Sequence, residues 1–195
     1  GTLNEMAQQF YDLGQHGKKF KHTIAICGNH DWLGEKEPNT VKMLAKENGV
    51  IWLQDDMVEI EGIKFYGSAW TPEFCNWAFN LDRNDGSLEE AWDKIPEGID
   101  ILMTHGPAYG RQDHSYDGPL GCTKLMRAID RVKPKAHIFG HIHHSYGYHI
   151  GADGILYANA STCNESYDPI NKPIVFDYTD GKVEIEWPIK ETSQD

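Results

Sequence analysis

Apolar residues at Leu3, Met6, Ala7, Phe10 and Leu13 recur at helical spacing behind Thr2 and Glu5, which form an S/T-x-x-E capping box, so a helix is predicted almost from the first residue. The period then shortens. Residues 23–27 form a short apolar run that reads as a strand, and a helix over 40–47 closes at Asn48-Gly49. Strands are predicted at 50–53, 57–60 and 63–70. The stretch 70–84 is aromatic and rich in turn residues, and Ser87 with Glu90 reads as a second capping box opening a short helix through Trp92. Residues 99–103 read as a strand and 109–121 as a polar, Gly-rich loop. Leu120, Leu125, Met126, Ile129 and Val132 mark one face of a helix stopped by Pro134. After the strand at 136–139 only strands follow, at 146–150, 155–158, 174–178 and 183–187, with antiparallel hairpins expected. Elements that alternate first and then turn to strands alone indicate a mixed α/β fold.

Composition narrows this picture. A chain of 195 residues with 39% hydrophobic content is read as one domain over residues 1–195. A formal net charge of −12 argues against a broad basic surface gripping nucleic-acid phosphates, which requires clustered Lys and Arg. Any phosphate affinity must therefore be local. The four cysteines, Cys27, Cys75, Cys122 and Cys163, contain no C-x-x-C pair and are expected as reduced core thiols. No apolar run approaches the ~18 residues of a membrane span and the opening is not signal-like, so the expected location is cytoplasmic, with no membrane partner.

Three short blocks carry the chemistry. Gly28-Asn29-His30-Asp31, Thr104-His105-Gly106-Pro107 and Gly140-His141-Ile142-His143 each follow an apolar run that reads as a strand. Asn29, His105, His141 and His143 offer carbonyl oxygen and imidazole nitrogen, a donor set suited to borderline divalent ions rather than calcium. It contains no carboxylate, although a two-metal hydrolytic site needs acidic groups to bridge and neutralise its ions. In an extended backbone His141 and His143 would point to one side.

These blocks resemble the later motifs of the calcineurin-like metallophosphoesterase superfamily. The wider text, including Gly110, Asp113, Gly121-Cys122, Phe139, Tyr146-Gly147 and 159–163, resembles its small metallophosphoesterase-domain subgroup over roughly residues 1–178. That superfamily's pattern begins with Asp-x-His and Gly-Asp, and this sequence contains neither. The resemblance implies an α/β sandwich of two mixed β-sheets flanked by helices, here without the amino-terminal strands that carry the two absent motifs. Sheet edges left open in that way would call for another polypeptide or an altered sheet to cover them. A native short form with a degraded site is the alternative.

The resemblance also implies roles. Asn29, His105 and His141 would bind one metal of a pair and His143 the other, the ions being manganese, iron or zinc, with this chain alone holding one or none. Each histidine taken singly is equally readable as a hydrogen-bonded core or loop residue. His30 would stabilise the transferring phosphoryl group or protonate the leaving oxygen, and Asp31 would orient its ring or cap a turn. Arg111 in the loop after His105, with Asp113 and His114, is a candidate for substrate contact or solvated loop charge, and Asn159 and Ser161 are candidates for lining the pocket. The implied activity is a phosphodiesterase acting on small nucleotides, cyclic ones included, through a metal-bridging hydroxide. The alternative is a catalytically impaired nucleotide- or phosphate-binding protein. The aromatic stretch with Trp70, Phe74, Trp77 and Phe79 is readable as a platform stacking a base, but such clusters more often belong to the core, and no role is assigned to it.

Overall fold

Helix α1 (Leu3–Gly17) begins where its capping box predicts, with Thr2 Oγ1 accepting from the Glu5 N–H at 3.3 Å and Glu5 Oε2 accepting from the Thr2 N–H at 2.6 Å. The computed structural model describes residues 2–186. After α1 come β1 (Ile24–Ala25), α2 (Trp32–Lys36), α3 (Pro38–Glu47), β2 (Ile51–Trp52), β3 (Asp56–Ile60) and β4 (Ile63–Ser68). Two short strands, β5 (Thr71–Pro72) and β6 (Asn80–Leu81), precede α4 (Ser87–Asp93) and β7 (Ile101–Thr104). A small hairpin of β8 (His114–Ser115) and β9 (Gly118–Pro119) leads into α5 (Thr123–Val132) and β10 (Ala136–Phe139). The last elements among the described residues are β11 (Gly147–Ile150), β12 (Leu156–Asn159) and the hairpin of β13 (Phe176–Thr179) and β14 (Lys182–Ile185). Trp187, the last residue of the expected final strand, lies outside the described residues.

The main sheet is mixed, in the order β11-β12-β10-β7-β4-β3. Its four central strands, β12, β10, β7 and β4, run parallel, and antiparallel β11 and β3 close the two ends. Central parallel strands are buried on both faces, which is why they read as continuous apolar runs. In β7, Leu102 faces a core with Leu88, Trp92, Leu125 and Ile129 from α4 and α5, while Ile101 faces the other side with Leu156 and Ala158. The β13–β14 hairpin lays Phe176, Tyr178 and Val183 against that second side. Met6 and Phe10 of α1 and Val41 and Ala45 of α3 form a third cluster with Cys27, Trp52 and Phe79. Beside it β1 pairs in parallel with β2, so the second sheet is a two-stranded parallel pair. Among the described residues β1 has no other strand neighbour.

Several local expectations are corrected. Ser87 does not cap α4. Gly86 takes that position with φ +92°, and the Ser87 N–H is held by Asp85 Oδ1 at 2.8 Å, so the acceptor comes from two residues upstream. Leu120 lies outside α5, which starts after Cys122, whose Sγ accepts from the Leu125 N–H. All four cysteines are free, but Cys75 is exposed and Cys163 half-buried, leaving Cys27 and Cys122 as the core thiols. Strands β4, β7, β10 and β12 end at one edge of the sheet because they are parallel, and open α/β sheets bind ligands at such an edge.

Candidate metal centre

The first site loop leaves β1 through Cys27 and closes on itself. Asp31 N–H donates to the Gly28 carbonyl at 3.0 Å, and Asp31 Oδ2 accepts from the Gly28 N–H at 2.7 Å, a reciprocal lock that directs Asn29 inward. Gly28 has no side chain for a reason: a Cβ there would lie 2.7 Å from His105 Cε1. That close approach lets the His105 Nε2–H donate to Asn29 Oδ1 at 2.6 Å. Burial, then the neighbouring His141, His30 and His143, lowers the His105 pKa to about 3, so its imidazole is neutral, the form that binds a cation.

The third block is not extended. His141 has φ +71° and His143 opens a 3-10 turn (His143–Ser145), so the expected strand-like alternation of the two rings gives way to a tight turn. This turn sets the His141 ring 4.7 Å from that of His105, centroid to centroid, and burial with the nearby His143 and His30 brings the His141 pKa down to about 4. His143 Nδ1–H donates to the Asn164 carbonyl at 2.9 Å, which leaves the Nε2 lone pair as the available donor.

Asn29, His30, His105, His141, His143 and Ser161 all line one half-open cleft of about 790 Å³. Four of the other candidates are elsewhere. Arg111 pairs with Asp153 at 3.4 Å and lies 4.6 Å over the Tyr157 ring, outside the lining. Asp31 works through the loop lock. Asn159 is fully buried and donates to the carbonyls of Ile142 at 2.8 Å and Gln112 at 3.2 Å, so it supports the His141–His143 turn from beneath. Asp113 is buried, accepting from Gly110 and Gly121 N–H at 2.9 and 3.0 Å, and holds its loop in shape. Sequence reasoning gave Phe74 and Trp77 no role and missed Tyr116 and Tyr167; all four line the same cleft. No periodicity marks them, since all four lie in or beside loops.

The donors fit a cation in part. Among the described residues no three His, Cys, Asp or Glu side chains are grouped to hold a metal ion, and the Asn29 amide oxygen is what makes a third donor beside His105 and His141. A cation entering there would replace the Asn29–His105 hydrogen bond with bonds to itself. Glu165 is the one carboxylate residue of the lining among the described residues, and it is already paired with His144.

Comparison with known proteins identifies the family. The calcineurin-like phosphoesterase family model matches residues 2–145, and the chain belongs to that family. It is 39% identical over 183 residues to human metallophosphoesterase domain-containing protein 1, covering 81% of this chain and 55% of the relative. It is 42% identical over 189 residues to UPF0046 protein T07D4.2 of Caenorhabditis elegans, covering 82% and 47%. The chain thus spans about half the length of these curated relatives. In fold it is similar to TT1561 of Thermus thermophilus, with a TM-score of 0.53, 14% identity and coverage of 83% and 71%.

Proposed function

We propose that the chain carries the histidine and asparagine portion of a metal-dependent phosphoesterase site, and that its substrate is a phosphodiester of small-nucleotide size, cyclic nucleotides included. The observation that supports this most is convergence: Asn29, His105, His141 and His143, drawn from three sequence-distant blocks, face one cleft. Bound divalent ions (manganese, iron or zinc) would supply Lewis-acid activation of water and charge neutralisation of the phosphoryl oxygens. His105 and His141, held neutral by burial, would ligate alongside Asn29 Oδ1, and His143 would offer Nε2. His30 is exposed at the cleft wall, with its ring 4.9 Å from that of Trp77, where it would protonate the leaving oxygen. Ser161 Oγ, whose hydrogen is given to Asn159 Oδ1 at 2.8 Å, would accept from a substrate hydroxyl.

The test is metal content per chain together with manganese-stimulated hydrolysis of bis-p-nitrophenyl phosphate, beside His141→Ala. Bound metal and turnover lost in the variant are expected. Absence of turnover in the wild-type chain favours a second reading, an impaired nucleotide- or phosphate-binding protein. One observation speaks for that reading: among the described residues the lining has no carboxylate to bridge two ions except the engaged Glu165. A further strand paired with the second edge of β1 would be the route by which carboxylates reach the site.

A further inference from the structure

The cleft beside the histidines has a second chemical character. Phe74, Tyr116 and Tyr167 are 59%, 81% and 74% exposed, yet they come from three separate loops and face the same cleft as half-buried Trp77. Scattered exposed aromatics need no explanation, but rings gathered around one concavity mark a binding site. They are also joined to the site's imidazoles. Trp77 lies 4.9 Å from His30, Tyr167 5.3 Å from His143 and Tyr116 4.9 Å from His144, ring centroid to ring centroid. Phe74 meets Trp77 edge-on at 5.4 Å. The aromatic stretch of the sequence therefore divides: Phe79 enters the core at 1% exposure, whereas Phe74 and Trp77 turn outward.

We propose that these rings form a subsite for a planar nucleobase, so that the substrate is a mononucleotide whose base stacks on the aromatic rim while its phosphate meets the histidines. The phosphate half of this assignment rests on the phosphoesterase reading; the ring half rests on the rim alone. A cleft of about 790 Å³ holds a mononucleotide. A long nucleic acid does not suit a chain of net charge −12, which offers little for successive phosphates. An aliphatic ester would leave the flat faces without a matching partner.

Calorimetric titration in manganese-containing buffer, with AMP, ribose 5-phosphate and n-butyl phosphate as probes, tests the subsite. The wild-type chain is expected to bind AMP roughly tenfold or more tighter than ribose 5-phosphate. Phe74→Ala and Tyr167→Ala, both at exposed positions, are each expected to weaken AMP by roughly tenfold and to leave ribose 5-phosphate unchanged. Equal affinity for AMP and ribose 5-phosphate, n-butyl phosphate binding as well as AMP, equal losses for all probes in the variants, or no binding of AMP overturns the proposal. Hydrolysis of bis-p-nitrophenyl phosphate by the same wild-type preparation separates the two readings. Turnover without a preference for AMP removes the subsite and keeps the phosphoesterase. A preference for AMP without turnover does the reverse.

Discussion

The buried side chain of Asn159 gives its Nδ2 hydrogens to the carbonyls of Ile142 and Gln112, and its Oδ1 receives the Ser161 N–H at 3.1 Å and hydroxyl at 2.8 Å. Ile142 sits between His141 and His143, so this amide fixes the height of both rings without entering the cleft. Asn159→Leu would leave the Ile142 carbonyl buried without this donor and remove the half-buried contact to Gln112, and is expected to cost about 2 kcal/mol or more in urea unfolding. Gly28→Ala acts from the opposite side. Its Cβ would press on the His105 ring, so overpacking of about 1–3 kcal/mol is expected, with manganese-stimulated hydrolysis reduced at least tenfold; unchanged hydrolysis would show that the ring has room to move. At this scale the ligand-type residues were legible because each block follows an apolar run. Arg111 was not, because its partners Asp153 and Tyr157 lie more than forty positions along the chain.

Among the elements, α5 ends on Lys133 at φ +48°, a left-handed C-cap immediately before Pro134. Glycine adopts that conformation without the Cβ penalty. Lys133→Gly is therefore expected to raise stability by up to about 1 kcal/mol, read as a higher urea midpoint at unchanged slope; a lower midpoint would count against the assignment. Element existence followed from periodicity, as at α1, α3 and the buried strands β7 and β10. Local geometry did not. The left-handed His141 and the cap of α4 depend on which backbone groups find acceptors, and Asp85 rather than Ser87 meets that need. The five-residue α2 is too short for an apolar stripe to announce it.

For the molecule as a whole, the response to acid follows from the centre of the sheet. His137 is fully buried on β10 and its Nε2–H donates to Thr104 Oγ1 at 2.7 Å, while Thr104 in turn donates to the Gly106 carbonyl at 2.7 Å. Burial lowers the His137 pKa from 6.5 to about 3. Between those values the unfolded chain holds a proton that the folded chain refuses, so stability falls as pH drops through that window. His137→Gln is expected to flatten the decline by up to about 1.4 kcal/mol per pH unit, measured as urea midpoints from pH 7 to pH 4; parallel slopes in the two proteins would refute this. The same residue ties the sheet to the second site block through Thr104, next to His105.

What the sequence alone determined is the α/β layering, the family blocks and the imidazole and amide donor types they carry, because hydrophobic period and short motifs are local properties of a chain. Only the tertiary structure decided which side chains share the cleft. Parallel β7 and β10 bring His105 and the His141–His143 turn to one edge of the main sheet, the loop after β1 brings Asn29 to His105 across 76 positions, and Phe74, Trp77, Tyr116 and Tyr167 become one rim there. Burial decided the rest: it holds His105 neutral, turns Asn159 into a brace and sends Phe79 inward while its neighbours in sequence face the cleft.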